Sequence, residues 1–238
     1  MKAATAFVGA RAVDSYPFSL GGTPEQAAAL KRTGVDCLIG YLGAMTPARL
    51  AAVLAAGLAF MPVTTAGEYE DGGADEVAQL RTLGIPPGAT VWLDLEGLKA
   101  WRTDPVALIA KINAWADAIT AGGWMPGLYV GAPQPLTSRE LYALRVVRYW
   151  WGLGKPIDRT GALVYPDCGW CMFQQWHGGE AGPDKIKGGM LWPPAAMGAS
   201  SERVLVDTNG IQMDTAIDCR CGFAFVARTH DWSHAQGA

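Results

Sequence analysis

Histidine is scarce, with 3 among 238 residues: His177 stands alone, and His230 and His234 lie in the polar C-terminal stretch. Metal-dependent hydrolysis built on histidine ligands is therefore disfavoured, and no metal or cofactor is expected. Cysteine is present without forming a set: Cys37 is single, Cys168 and Cys171 make a CxxC, and Cys219 and Cys221 a CxC. An odd count of 5 argues against a complete disulfide framework, and the CxC half is not the usual spacing for zinc. Charge is also sparse, at 17% of residues, with a net charge of -3 and no Lys/Arg run. That leaves no electrostatic footprint for nucleic acid or anionic lipid, and a neutral or weakly charged substrate fits better. Long apolar runs are missing too: Leu50 to Val63 spans 14 residues and is broken by Gly57 and Pro62, too short for a membrane span. The apolar stretch Ala3 to Ala10 is interrupted by Arg11 and Asp14, so no cleavable secretion signal is expected.

What is present is core-forming material: 50% of residues are hydrophobic and 10 are Trp, ample for one large domain. Strand and helix signals alternate along it. Residues 6–16 read as a strand ending at Asp14, and Thr23-Pro24-Glu25 opens a helix that Gly34 stops. A second strand covers 35–42 with Tyr41 near its end, and Thr46-Pro47 opens a helix stopped by Gly57. The pattern continues with strands over 58–65, 91–96, 125–131, 146–153 and 171–176, and helices over 73–83, 104–121 and 138–144. An eighth strand lies within 204–214, readable as a hairpin broken at Asn209-Gly210. This rhythm points to an α/β protein, a single (β/α)8 TIM-type barrel with degenerate helices after the sixth and seventh strands. The barrel is expected over residues 1–226, with a long Gly/Pro-rich loop at 177–203 and a polar tail at 227–238 that holds His230 and His234.

The most informative stretch is Val91-Trp92-Leu93-Asp94-Leu95-Glu96, where apolar residues alternate with two acids. On a strand the acids share one face and Leu93 and Leu95 the other. Two carboxyls that close raise each other's proton affinity, so one is protonated while its neighbour is ionised, which suits acid-assisted bond cleavage. Barrel chemistry sits at the carboxyl ends of strands. Asp14, Tyr41, Asp94, Glu96, Tyr129, Trp151, Gln175 and Asp214 all fall near such ends in this reading.

The segments VDSY at 13–16, IGYLG at 39–43, VWLDLEG at 91–97, GLYVG at 127–131, YWWGLGKP at 149–156, FQQW at 173–176 and IQMD at 211–214 run in order through nearly the whole chain. With these strand-end motifs the sequence resembles the glycoside hydrolase family 25 lysozymes, and more closely the related Rv2525c-like glycoside hydrolase-like domains of bacteria and phages. The resemblance implies a muramidase that cuts the β-1,4 bond between N-acetylmuramic acid and N-acetylglucosamine in peptidoglycan. By position it implies Glu96 as general acid, Asp94 as the partner that stabilises positive charge or positions the N-acetyl group, and Asp14 and Asp214 flanking them. Tyr41, Tyr129, Trp151, Gln175 and Trp176 are the candidate substrate contacts. The lysozymes end their last strand in Asp, an apolar residue and Asn; here Asp207 precedes Thr208-Asn209 and Asp214 precedes Thr215-Ala216, so either acid is a match, with Asp214 favoured.

The expected partner is peptidoglycan or a related amino-sugar glycan, with virion or lysis-system proteins as further candidates. The expected location is the cytoplasm until release, or a virion, with action on the cell wall. The competing expectation is a glycan-binding or virion structural module that keeps the barrel without turnover.

Overall fold

The computed structural model describes residues 1–5, 11–14, 23–32, 34–65, 72–95, 104–131, 135–152, 157–164, 172–176, 207–210 and 224–227. Their helices begin where short polar side chains cap them. In α1 (Pro24–Arg32), Thr23 Oγ1 accepts from the Gln26 backbone at 3.2 Å and Gln26 Oε1 accepts from the Thr23 backbone at 3.1 Å. Thr46 caps α2 (Pro47–Ala55) through the Arg49 amide, and Asp104 caps α4 (Pro105–Ala121) through the Val106 and Ala107 amides. Each of these helices has proline in its first turn, where a missing N–H costs nothing. In α5 (Ser138–Leu141) the Thr137–Glu140 capping box is complete, but the helix is shorter than the expected 138–144. Helix α3 (Ala74–Thr82) starts instead from Gly73, at φ 91°. A Cβ there would stand 3.1 Å from the Trp115 ring and 3.3 Å from Ala118, so only glycine permits both this backbone and the approach to α4.

The strands between these helices are β2 (Arg11–Asp14), β3 (Cys37–Tyr41), β4 (Ala59–Thr65), β5 (Thr90–Asp94), β6 (Met125–Val130), β7 (Arg148–Trp151) and β8 (Met172–Trp176). They are joined in that order by parallel pairings into one curled sheet, an arrangement consistent with a partial TIM-like barrel. The regular eightfold repeat is not reached. The strand that joins β8 to β2, β9 (Asp207–Gly210), runs antiparallel to both, and among the described residues no helix follows β7 or β8. Two further strands were not expected: β1 (Lys2–Thr5) and β10 (Ala224–Ala227) form an antiparallel ribbon attached to β4 through Val226 and Phe60. The ribbon takes in Ala227, the first residue of the expected tail; the loop at 177–203 lies outside the described residues.

The strands have two distinct faces. Val13, Leu38, Phe60, Leu93, Leu128 and Tyr149 pack in one cluster with helix residues such as Leu50, Leu80, Ile112 and Trp115. These define the helix-facing side. Alternate positions, including Ile39, Met61, Trp92, Tyr129 and Trp150, are just as buried but lie outside that cluster. Their contacts join strands two apart in the sheet: the Trp92 and Trp150 rings, on β5 and β7, meet edge to face at 5.8 Å. Such partners meet only across the concave side of a curled sheet, so this is the inner face.

A candidate active site at the carboxyl ends of the parallel strands

Asp94 is the last residue of β5, all of which is buried, and is itself 9% exposed. Its alternation with Trp92 puts both on the inner face. A carboxyl with so little access to water needs protein partners, and Asp94 has one from far along the chain: the Tyr41 hydroxyl donates to Asp94 Oδ2 at 2.9 Å. Tyr41 ends β3, and the bond crosses over β4 to reach β5, where Tyr41 pairs with Val63 and Asp94 with Thr65. Immediately after it the 3-10 turn Leu42–Ala44 begins, with Leu42 buried and the Met45 amide bonded back to the Leu42 carbonyl at 3.0 Å. The Tyr41 backbone is thus held on both sides.

Beneath Asp94 lies an aromatic floor. Trp92 is fully buried, and the Trp150 ring touches both Trp92 and, at 4.6 Å, Tyr129. Edge-to-face geometry of this kind fixes ring positions as well as filling space. Two glycines make room. A Cβ on Gly127 would come within 2.6 Å of the Trp92 ring, and one on Gly152 within 2.5 Å of the Tyr129 hydroxyl. Tyr129 is level with Asp94 in the β5–β6 register.

The candidate residues divide as follows. Asp94, Tyr41 and Tyr129 come together on the inner face. Trp151 packs against the helix-facing cluster, and its neighbour Trp150 occupies the inner position on β7. Asp14 ends β2 and lies directly opposite Asp207, the first residue of β9. Because β9 is antiparallel, it starts at the carboxyl ends of the other strands and heads away from them. The register therefore aligns Asp207 with Asp14, while Asp214 and Glu96 lie outside the described residues. On β8, Gln174 pairs with Asn209 and Trp176 with Thr208, leaving Gln175 as the extra residue of a β-bulge. Bulges of this type re-aim the chain beside functional sites.

Two further buried groups lie outside the candidate set, Glu76, which the sequence did not single out, and Cys37. Glu76, in the first turn of α3, is 1% exposed and accepts from the Thr64 hydroxyl at 3.1 Å, on the helix-facing side of β4. Its place at a helix N-terminus is the only sequence signal for it. Cys37 is a buried thiol whose pKa is pushed well above its usual value by burial, with the charge of Asp36 adding to the effect. It is inert for nucleophilic chemistry. Among the described residues no group of three or more His, Cys, Asp or Glu is placed to hold a metal ion, and no helix is long and apolar enough to cross a membrane. The other four cysteines lie outside the described residues.

No protein-family model matches this chain, and no curated protein sequence does. Solved structures do. An uncharacterised protein of B. stearothermophilus is similar at a TM-score of 0.57 and 19% identity, over 86% of this chain and 96% of that one. The Mycobacterium tuberculosis Tat-secreted protein Rv2525c, in complex with L-tartrate, is similar at a TM-score of 0.53 and 13% identity, over 89% of this chain and 98% of that one. The same protein in complex with HEPES gives 0.51 and 14%. At such identities the similarity establishes a shared fold, and the expected likeness to Rv2525c-like domains holds at that level.

Proposed function

We propose that the chain is a peptidoglycan-directed glycoside hydrolase that cleaves the β-1,4 bond between N-acetylmuramic acid and N-acetylglucosamine. The observation that carries this reading is the placement of Asp94: a nearly buried carboxyl at the carboxyl end of a parallel strand, on the inner face of a curled sheet, held by Tyr41. Glycosidic cleavage needs a proton donor at the leaving oxygen and a second carboxylate facing the anomeric carbon. Asp94, oriented by a hydroxyl donor, suits the second role. Glu96, two residues on, takes the first.

Carboxyls at that spacing have backbones roughly 6–7 Å apart, compatible with attack by Asp94 and with attack by the substrate's own N-acetyl oxygen. Asp14 flanks the pair, and we take Asp207 as the last acid in place of Asp214, supported by its register with Asp14 and by the Asp-Thr-Asn order that follows it. Tyr129 on β6 and Gln175 on β8 remain the candidate sugar contacts, with Trp176, next in the chain after Gln175, as a third.

The experiment is incubation with purified peptidoglycan, scoring new reducing ends, with Glu96→Gln alongside. The reading expects reducing ends from the wild type and almost none from the variant. An inactive wild type that still pellets with sacculi would instead establish a glycan-binding module.

A further inference from the structure

We infer that Tyr41 acts on the reaction through Asp94, as a positioning residue, and not by holding substrate. The inference rests on the hydrolase reading above. A tyrosine hydroxyl has a single proton to donate. That proton is directed at Asp94 Oδ2, at 2.9 Å, so the donor function a sugar hydroxyl or N-acetyl carbonyl would need is already committed. The geometry around it is built for constancy. Tyr41 is pinned by the β3–β4 pairing before it and by the 3-10 turn after it, and the Ala44 carbonyl at the end of that turn accepts from Arg49 Nη1 of α2 at 2.6 Å. The phenol therefore reaches Asp94 from a fixed base and holds Oδ2 toward β3. A donor held in advance stabilises charge at Asp94 without reorganisation during the reaction.

The test is steady-state kinetics on solubilised glycan strands for wild type, Tyr41→Phe, Asp94→Asn and the double variant, with thermal melts for each. Tyr41→Phe keeps the ring and removes only the hydroxyl. We expect its kcat to fall about 10-fold or more, the rate equivalent of one hydrogen bond to an ionised group, at unchanged KM and a melting temperature near that of the wild type. In the Asp94→Asn background the same change should cost nothing further, because its effect passes through Asp94. A raised KM with kcat held would make Tyr41 a substrate contact and overturn the inference, as would an additive double variant. An inactive wild type overturns the hydrolase reading and the positioning role together, whereas an active wild type with an unaffected Tyr41→Phe overturns the positioning role alone.

Discussion

The two faces of β5 divide the molecule's labour within five residues. Val91 and Leu93 join the helix-facing cluster, where the gain is chiefly apolar burial, with the Thr64–Glu76 hydrogen bond beside Leu93. Trp92 and Asp94, at the alternate positions, face inward, where packing below gives way to a hydrogen-bonded carboxyl above. The β7 strand repeats the division, with Tyr149 and Trp151 toward the helices and Trp150 inward. The outer face is thus a stability element and the carboxyl end of the inner face a chemical one. If that is right, substitutions on the two faces should separate melting from turnover.

The largest effect on stability is expected for Trp115→Ala. This indole is fully buried at the centre of the helix-facing cluster and lies against Gly73. Truncation should cost about 3–5 kcal/mol in denaturant unfolding, with the specific activity of the folded fraction unchanged. Loss of turnover greater than loss of folded protein would break the division.

Gly127→Ala comes next and should affect both faces' roles. Its new methyl would meet the Trp92 ring at 2.6 Å, and crowding of this kind costs about 1–3 kcal/mol. Because Trp92 supports Asp94 from below, the variant should also lower the rate of reducing-end release. A variant with wild-type melting and wild-type rate would show that the aromatic floor tolerates displacement.

A smaller effect, with a pH signature, is expected at the rim. Arg159 donates to both oxygens of Glu140, at 2.5 and 2.6 Å, clipping the turn at 157–163 to the start of α5. Chiefly through that Arg159 hydrogen bond, the Glu140 pKa is lowered from 4.5 to about 2. A group depressed by folding stabilises the native state above its unfolded pKa and loses that contribution as pH falls toward the folded one. The pair is partly exposed, so screening limits its worth to about 1 kcal/mol. Glu140→Gln should therefore melt below the wild type at neutral pH, and the gap should close as pH drops from 4.5 toward about 2. A gap that persists at the acid end would assign the stabilisation to something other than the ionised pair.

Much of the regular half of the fold was legible in the residues because its signals are local. Thr-Pro and Asp-Pro mark helix starts through capping geometry, and the alternation of VWLDLE assigns Asp94 to one face. Strand direction is not a local property. Alternation reads the same both ways, so β9 was expected to be parallel, and its true direction appears only through the Asp14–Asp207 pairing. The Gln175 bulge depends likewise on its partner strand, and the Tyr41–Asp94 bond joins residues 53 apart in sequence. Pattern can bring Tyr41 to the right end of the sheet, but only the curvature of three strands brings its hydroxyl to Asp94. The ribbon of β1 and β10 was missed for the same reason: two short segments from opposite ends of the chain have no turn between them to announce their pairing.

The central claim is that the inner-face carboxyl performs chemistry and is not simply a satisfied buried acid. Asp94→Asn tests it most directly, because the amide keeps the shape and still accepts from Tyr41 while removing the charge. Melting should move by less than about 1 kcal/mol, and release of reducing ends from peptidoglycan should fall by roughly 100-fold or more, on the scale of a lost electrostatic stabiliser. A variant that folds and cleaves at the wild-type rate would contradict the account.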